Sequence, residues 1–295
     1  MRPKPAPPKS IAVLAHPDIP DAPKVAEDVG VFLHEKGFDA QIGSLQDEDL
    51  RSGIRSNDFD LLIALGGDGT MLRAGHLCAP VDVPLLGINI GHFGFLAELT
   101  REDWRGTLPD LLDGNFRYEA RMMLKACCVN GGAEKASFDV INDVVVARGQ
   151  YVRPIEVEAY LDGAHIISYV ADGLIAATAT GSTAYALAVG GPILPPEIRN
   201  ILLVPIAPHL SVDRAIVLSE GASVLIKVRT KHEAVLSVDG HEPVHLSSGD
   251  GVRITANPKT LYMVRFEAPS YFYRNLTSHM ERNPVICKHA DDKSK

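Results

Sequence analysis

A run of five aliphatic residues, followed at once by three glycines and one aspartate, constrains the fold of this chain more than any other stretch. Residues 61–65 are apolar and short enough to form one buried strand of a parallel sheet. Residues 66–70 read Gly-Gly-Asp-Gly-Thr, and residues 71–77 have the pattern of a helix start. A glycine turn between a strand and a helix lets backbone N–H groups converge on an anion. We therefore expect a ligand site at this strand end.

The charged residue of this turn, Asp68, does not belong to either of two common phosphate-binding loops. No lysine follows Gly69 as in a Walker A loop, and Leu72 stands where the dinucleotide fingerprint needs a glycine. A carboxylate inside an anion cradle needs a compensating function, because it repels phosphate at close range. Asp68 is a candidate to take a proton from an acceptor hydroxyl or to help hold Mg²⁺. The remaining alternative is a turn aspartate that accepts nearby N–H groups.

Composition and charge exclude several classes of protein. The 295 residues predict about two domains, and 46% hydrophobic with 22% charged residues is typical of a soluble globular protein. A net charge of −8 argues against a nucleic-acid partner. No stretch is apolar for the length of a membrane span, and the N-terminus does not have the pattern of a signal peptide. We therefore expect a cytoplasmic protein with no membrane or nucleic-acid partner.

Cysteine and histidine spacing does not favour a disulfide framework or a zinc site. The four cysteines form no Cys-x-x-Cys pair, which favours thiols in a reducing compartment. Residues 241–245 match the His-Glu-x-x-His pattern of zinc proteases. That pattern requires a helix, whereas Pro243 and the preceding Asp239-Gly240 favour a turn and a strand. Alternation in a strand would also put both histidines on one side, so a metal remains an alternative. No dedicated metal site is predicted.

The pattern of apolar residues changes near residue 118. Strands alternate with helices before it, which predicts an α/β domain with an open, mostly parallel sheet. After it, alternating runs and Asp-Gly turns predict an all-β, sandwich-like domain. We place the domains at residues 1–118, with the first nine residues loose, and at residues 119–268. Residues 269–295 form a tail whose end is expected to be disordered, and its return to the N-terminal domain is one open alternative.

Two stretches of the second half carry polar residues at the ends of apolar runs. In residues 171–192, small residues imply that something approaches the backbone closely, and Ser182 and Thr183 are predicted to cap a short helix that carries Tyr185. A capped helix packed on a sheet is the alternative. Asn142 and Asp143 precede an apolar strand, where an amide beside a carboxylate can hold a sugar hydroxyl and a base edge. A simple turn is the alternative there.

These motifs, taken in order, resemble those of the NAD kinases. The matching segments are Gly66-Gly67-Asp68-Gly69-Thr70, Gly87-x-Asn89-x-Gly91-x-x-Gly94-Phe95-Leu96, Asn142-Asp143, Asp172-Gly173, Thr180-Gly181-Ser182-Thr183-Ala184-Tyr185, Gly190-Gly191-Pro192, Pro205-Ile206-Ala207-Pro208-His209 and Ser237-Val238-Asp239-Gly240. The resemblance covers residues 11–275. The Gly-Gly-Asp-Gly element is shared with diacylglycerol kinases, sphingosine kinases and phosphofructokinases, whereas the Thr-Gly-Ser-Thr-Ala-Tyr segment is more particular to NAD kinases.

The resemblance implies transfer of the γ-phosphoryl group of ATP to the 2′-hydroxyl of the adenosine ribose of NAD, which gives NADP. It implies a site in the cleft between an N-terminal phosphate-donor domain and a C-terminal NAD-binding domain, with Asp68 as the catalytic base. The implied phosphate- and ATP-binding residues are Gly66, Gly67, Gly69, Thr70 and Arg73. The implied NAD-binding residues are Asp68, Gly69, Phe95, Asn142, Asp143, Arg153, Asp172, Thr183, Ala184, Tyr185, Ala186, Leu187, Ala188 and His241. Mg²⁺ or another divalent cation is expected with ATP, polyphosphate is an alternative donor, and the family usually forms homodimers or homotetramers.

Three residues depart from the family pattern. Asp143 stands where the family more often has glutamate, and Ala179 stands where proline is common. Val170 replaces a residue that is frequently charged or polar, which leaves the preference between NAD and NADH open. Two other functions remain as alternatives, a diacylglycerol- or sphingosine-type lipid kinase and a non-catalytic dinucleotide sensor. A lipid kinase requires an exposed apolar entry that the sequence does not show.

Overall fold

The computed structural model of the protein describes residues 6–91, 94–130, 133–209 and 214–281. The chain divides into two compact units, one of Met1–Ala120 with Leu261–Lys295 and one of Arg121–Thr260. The second division falls earlier than the boundary placed at residue 268 from the sequence. A single uninterrupted strand covers residues 251–265, so no turn signal marks residue 261.

Strands and helices alternate in the first third of the chain, and strands predominate after it. The strands are β1 (Ser10–Ala15), β2 (Asp39–Ser44), β3 (Leu61–Gly66), β4 (Leu85–Asn89), β5 (Leu99–Thr100), β6 (Arg117–Asn130), β7 (Ala133–Val140), β8 (Asp143–Arg148), β9 (Ile155–Leu161), β10 (Ala164–Ala171), β11 (Gly173–Ala177), β12 (Asn200–Ile206), β13 (Ile216–Ser219), β14 (Val224–Arg229), β15 (Ala234–Val238), β16 (Val244–Leu246) and β17 (Gly251–Arg265). The helices are α1 (Ala22–Glu35), α2 (Glu48–Arg55), α3 (Asp68–Cys78), α4 (Trp104–Leu112), α5 (Tyr185–Ala188) and α6 (Ser270–Glu281).

The first unit is the α/β domain that the sequence predicts. Its parallel sheet runs in the order β17, β4, β3, β1, β2, with β5 beside β4. All six residues of β3 are buried, as a strand covered on both faces requires. Helix α1 turns Val25, Val29 and Leu33 into the core, and the ring of Phe32 packs edge-on against Trp104 of α4 at 5.9 Å.

The second unit is the predicted β-sandwich. One antiparallel sheet has the order β13, β12, β11, β8, β15, β16. In the other sheet, the strands follow the order β10, β9, β14, β17, and β6 pairs with both β17 and β7. Both sheets turn apolar side chains into one shared core, as residues such as Val146, Leu174, Val157 and Ile226 show. Asp162 and Gly163 both have positive φ in the hairpin between β9 and β10, which is the turn that Asp-Gly predicts.

Some expectations about the ends of the chain are tested only in part. Residues 6–9 precede β1 without helix or strand, while residues 1–5 lie outside the described residues. The predicted tail contains α6, which its polar sequence did not indicate, and the end expected to be disordered, residues 282–295, lies outside the described residues. No helix in the described part of the chain is long and apolar enough to cross a membrane.

Candidate functional site

The glycine turn after β3 is tighter than its sequence predicts. Helix α3 begins at Asp68, three residues before the predicted start at Met71. Gly67 has φ −97°, so this turn does not use the positive φ that glycine allows. A Cβ on Gly66 would collide with the Thr70 side chain, whereas a Cβ on Gly67 or Gly69 would meet no atom within 4 Å. Gly66 is therefore required for packing, while Gly67 and Gly69 leave their surface open.

The Asp68 carboxylate is fixed by a distant segment of the same unit. Its Oδ2 accepts the Phe95 N–H at 2.9 Å and its Oδ1 accepts the Leu96 N–H at 3.1 Å. A Cβ on Gly94 would collide with this carboxylate, so glycine is required there. Asp68 thus accepts N–H groups as a turn aspartate would, but from residues 27 and 28 positions away. Each carboxylate oxygen has a second lone pair, so acceptor capacity remains.

Arg73, the positively charged residue of α3 nearest to this turn, contacts a histidine at the end of β1. Arg73 is exposed, and its Nη1 lies 3.4 Å from Nε2 of His16. His16 follows β1 directly, and its N–H donates to the carbonyl of Leu65 in β3. The carboxyl ends of β1 and β3 and the start of α3 therefore come together, which is the edge of a parallel sheet where ligands bind.

In the second unit, one carboxylate organises the start of β8. Asp239 accepts the N–H groups of Ile141, Asn142 and Asp143 at 2.8, 2.8 and 3.0 Å. Its own N–H donates to the Asp143 carbonyl at 3.0 Å. Asp239 and Gly240 both have positive φ, as a tight hairpin turn requires. The sequence indicated this turn but not the carboxylate's contacts, which bridge 96 to 98 positions of the chain.

The small-residue stretch packs directly against Asn142. A Cβ on Gly181 would collide with the Asn142 carbonyl, and Thr178 donates both its N–H to that carbonyl at 2.9 Å and its hydroxyl to the Ile141 carbonyl at 2.6 Å. The close approach that the small residues predicted is therefore, in part, an approach of this chain's own backbone.

The predicted helix caps are wrong. The Ser182 hydroxyl donates to the Ala179 carbonyl at 2.6 Å and accepts the Leu194 N–H, while the Thr183 hydroxyl donates to the Thr180 carbonyl. Helix α5 is a single turn without a side-chain cap. The two hydroxyl residues lie in a 3₁₀ turn before it, where short-range carbonyls compete for their hydroxyls.

Asp143 is the electrostatically unusual group of this region. Its side chain is buried, and burial, reinforced by the negative charge of Asp239, raises its pKa from 3.8 to about 7. The backbone N–H of Tyr185 donates to it and partly opposes that shift of the pKa. The carboxyl group is therefore divided between its protonated and ionised forms near neutral pH. The structure brings together Asn142, Asp143 and Tyr185 as predicted site residues.

The zinc-protease pattern does not lie on a helix. His241 belongs to the turn after β15, where its N–H and its ring Nδ1 both face the Val238 carbonyl at 2.9 Å. His245 lies in β16, with Pro243 between the two histidines. Within the described residues, no group of three or more His, Cys, Asp or Glu side chains is arranged to hold a metal ion.

Two predicted NAD-binding residues lie away from Asn142 and Asp143. Asp172 precedes β11 and forms an ion pair of 3.0 Å with Arg148, at the opposite end of β8 from Asp143. Five residue steps of about 3.4 Å place these ends roughly 17 Å apart. Arg153 lines a depression of about 540 Å³ with Val170 and three further basic residues, Arg229, Lys231 and His232. Within one chain Asp172 is therefore not beside Asp143, and its place near the adenine pocket stays a prediction.

Comparison with known proteins assigns both halves of the chain to one family. Residues 15–116 match the ATP-NAD kinase N-terminal domain, and residues 141–266 match the ATP-NAD kinase C-terminal domain. An NAD kinase of Chloroflexus aurantiacus is 36% identical over 273 residues, which cover 92% of this chain and 99% of that protein. The chain belongs to the NAD kinase family. The predicted family and phosphotransferase class are confirmed, and these matches give no support to a lipid kinase or a non-catalytic sensor.

Solved structures confirm the fold of this NAD kinase family member. Yeast NADH kinase, crystallised with NADH, superposes with a TM-score of 0.81 at 23% identity, and the match covers 94% of this chain and 89% of that one. An NAD kinase from Archaeoglobus fulgidus, crystallised with ATP, has a TM-score of 0.73 at 23% identity, covering 92% and 99%. At this identity the likeness establishes the architecture of an α/β domain followed by an antiparallel β domain.

Proposed function

We propose that this chain transfers the γ-phosphoryl group of ATP to the 2′-hydroxyl of the adenosine ribose of NAD and so forms NADP, with Asp68 as the general base. The observation that carries the proposal is the fixed carboxylate of Asp68 at the start of α3, beside two glycines whose surfaces are open. A ribose hydroxyl is a poor nucleophile at neutral pH, and a positioned base contributes about 10²–10⁴-fold to the rate. Family membership supports the choice of NAD and ATP as substrates.

The donor phosphates are proposed to bind at the β3–α3 junction. The first N–H groups of a helix lack intrahelical acceptors and point toward an anion. The open faces of Gly67 and Gly69 let phosphate oxygens approach these N–H groups, and Arg73 supplies a nearby cation. Gly66 and Thr70 act indirectly in this scheme, because each is buried against the other.

A divalent cation, Mg²⁺ or another, is proposed to arrive with ATP. Within the described residues the donor set fits a cation held mainly by phosphate oxygens and water, because acidic side chains do not cluster in threes. When bound, the cation neutralises charge on the transferring phosphoryl group. The chain's own residues orient the phosphates and take the proton of the 2′-hydroxyl at Asp68.

The dinucleotide is proposed to bind at the start of β8. Asn142 offers an amide and Asp143 a carboxylate for the ribose and the base, and the ring of Tyr185, 44% exposed, offers a flat apolar face. Thr183, Ala184, Ala186, Leu187 and Ala188 lie beside Tyr185 in the chain and complete the proposed lining, with Phe95 and His241 as further contacts. Direct assays with NADH and with polyphosphate measure the preference for acceptor and donor.

A homodimer or homotetramer is proposed, and the positions of Asp172 and Arg153 support it. Both lie at the far end of β8 from Asp143, so a neighbouring copy offers a direct way to bring them to a bound dinucleotide. A cytoplasmic location is also proposed, since the described cysteines, Cys78, Cys127 and Cys128, are free and buried. Cys287 lies outside the described residues.

The deciding experiment measures NADP formation from NAD and Mg-ATP with an NADP-specific dehydrogenase, alongside NADH and polyphosphate as alternative substrates. We expect Asp68→Asn to lower kcat by about 10²–10⁴-fold with little change in NAD affinity. Asp60→Asn is the matched control, because Asp60 precedes the same strand and likewise accepts two backbone N–H groups, from Lys9 and Ser10. Wild-type turnover in Asp68→Asn would remove Asp68 from its role as base.

A further inference from the structure

We propose that Arg265 is a positioning residue for catalysis, because it holds the loop that in turn holds the Asp68 carboxylate. The inference rests on the proposed role of Asp68 as the base. Arg265 lies 169 positions from Leu96 in the chain, and neither composition nor motif matching singles it out. Arg265, Leu96 and Asp68 all belong to the first compact unit.

The link between Arg265 and Asp68 passes through a single residue. Leu96 donates its N–H to Asp68 Oδ1 at 3.1 Å and accepts a hydrogen bond at its carbonyl from Arg265 Nη1 at 3.1 Å. Leu96 is buried, and Phe95 beside it donates to the other Asp68 oxygen. Movement of the Leu96 carbonyl therefore moves the N–H groups that orient the carboxylate.

The guanidinium of Arg265 is itself held between two buried carboxylates. Its Nε donates to Glu119 at 3.1 Å, and its Nη1 lies 3.2 Å from Glu98 Oε2, while all three side chains are at most 7% exposed. Glu98 also ties its loop to neighbouring backbone, because its N–H donates to the Gly87 carbonyl in β4 and its Oε1 accepts the Phe266 N–H at 2.8 Å.

This network suits positioning better than stabilisation. Burying two carboxylates and a guanidinium carries a desolvation penalty, and apolar residues of similar volume often stabilise a fold equally well. A planar guanidinium carries five N–H donors on three nitrogens in fixed directions, whereas the three donors of an ammonium group rotate about a single nitrogen and do not fix the direction of their acceptors. Arg265 therefore fixes one arrangement of residues 94–98, and the N–H groups of Phe95 and Leu96 then hold the Asp68 carboxylate in one orientation.

The test compares Arg265→Lys with Arg55→Lys, a control in an exposed ion pair with Glu48 of the same unit. Lysine keeps the positive charge between Glu98 and Glu119, but its single nitrogen cannot occupy the positions of both Nε and Nη1, so we expect the bond to the Leu96 carbonyl to weaken or break. We expect Arg265→Lys to lower kcat by about 10- to 100-fold, as displacement of a catalytic group does, with the KM for NAD unchanged. Hydrogen–deuterium exchange should accelerate in the peptide covering residues 94–98 and stay unchanged in β1 and β3.

The decisive readout is the double variant with Asp68→Asn. If Arg265 acts through Asp68, Arg265→Lys causes no further loss in the residual turnover of Asp68→Asn. Two outcomes overturn this inference alone. One is that Arg265→Lys lowers kcat by the same factor in the wild type and in Asp68→Asn. The other is that Arg265→Lys has wild-type kcat while Asp68→Asn is inactive. Wild-type turnover in Asp68→Asn overturns instead the proposed function.

A second variant guards against a failure of Arg265→Lys to fold. The triple variant E98Q/E119Q/R265M removes all three charges. Arg117 loses its ion pair with Glu119, but it is 30% exposed and keeps its hydrogen bond to the Glu267 carbonyl. The carbonyl oxygen of the glutamine introduced by E98Q can still accept the Phe266 N–H. A folded triple variant should show the same kcat defect and the same faster exchange over residues 94–98, and a folded triple variant with wild-type kcat refutes the inference.

Discussion

Replacement of Asp143 by asparagine should make the protein more stable at alkaline pH, by an amount that follows from the burial of this carboxyl group. Its pKa is raised from 3.8 to about 7, first by burial and then by the charge of Asp239. Between these two values the unfolded chain has lost the proton while the folded chain still holds it. Stability from this group is therefore complete below about pH 4 and is lost as the pH rises to 7.

The size of the effect follows from the pKa difference. A difference of about three pKa units at about 1.36 kcal/mol each gives roughly 4 kcal/mol, as an order of magnitude. The asparagine side chain does not ionise, so the free energy of unfolding of the variant relative to the wild type should grow by about 1.4 kcal/mol per pH unit from pH 4 to 7. It should then level off. Neutral asparagine is close in shape to aspartate and can still accept the Tyr185 N–H.

The assay is urea denaturation of both proteins at several values between pH 4 and 8.5, with the difference in unfolding free energy plotted against pH. Asp139→Asn is the control, for which the difference should stay constant over this range. Burial raises the pKa of Asp139, but hydrogen bonds from Lys259 and Asn257 outweigh it and lower the pKa overall. The pH dependence from this group therefore lies below about pH 4, outside the range measured, so the difference for Asp139→Asn should not change with pH. A flat difference for Asp143→Asn across this range would refute the reasoning.

Two further outcomes test the site geometry. Gly94→Ala should lower kcat by about 10-fold or more, because the added Cβ collides with the Asp68 carboxylate. Gly106→Ala is the control, because its added Cβ meets no atom within 4 Å. Equal kcat values for the two variants would contradict the placement of Asp68. If a neighbouring copy supplies Asp172, subunit exchange between inactive Asp143→Ala and inactive Asp172→Ala proteins should restore NADP formation. A mixed dimer has one site with both aspartates intact, so up to about a quarter of all sites should recover. Failure to restore it in exchanged oligomers would place both residues in one copy.

The sequence predicts well those features that depend on neighbouring residues. The aliphatic run of β3, the Asp162-Gly163 hairpin and the change from α/β to β structure follow from local pattern, and the structure confirms them. The misassigned caps at Ser182 and Thr183 show the limit of that reasoning, since a hydroxyl before a helix has several carbonyls within reach.

Contacts between distant residues could not be predicted in the same way. Asp239 was identified only as part of a turn, yet its carboxylate binds three N–H groups about a hundred positions earlier. Arg265 and Leu96 have no feature in the sequence that pairs them. Such partners become visible only when the sheet order brings β17 beside β4. A single sequence therefore locates the candidate site but not the residues that hold it in position.

The two neighbouring carboxylates of the second unit lead to a final prediction about NAD binding. Asp239 accepts three backbone N–H groups, which stabilise its ionised form. Asp143 accepts the Tyr185 N–H and is buried beside that charge, so of the two carboxyl groups it is Asp143 that is protonated. Ribose hydroxyls that donate to the Asp143 carboxylate would favour its ionised form, so NAD binding should release a proton. Because the pKa of Asp143 is about 7, we expect release of roughly half a proton at pH 7 and almost none above about pH 8.5.

Calorimetry in two buffers of different ionisation enthalpy measures this release directly. Asp143→Asn should abolish it, and NAD affinity in the wild type should weaken as the pH falls below 7. The Asp139→Asn variant is the control, because hydrogen bonds from Lys259 and Asn257 lower the pKa of Asp139 and keep this carboxylate of the same unit ionised near pH 7. Proton uptake on binding, or release that survives in Asp143→Asn, would show that the carboxyl group does not accept the ribose hydroxyls.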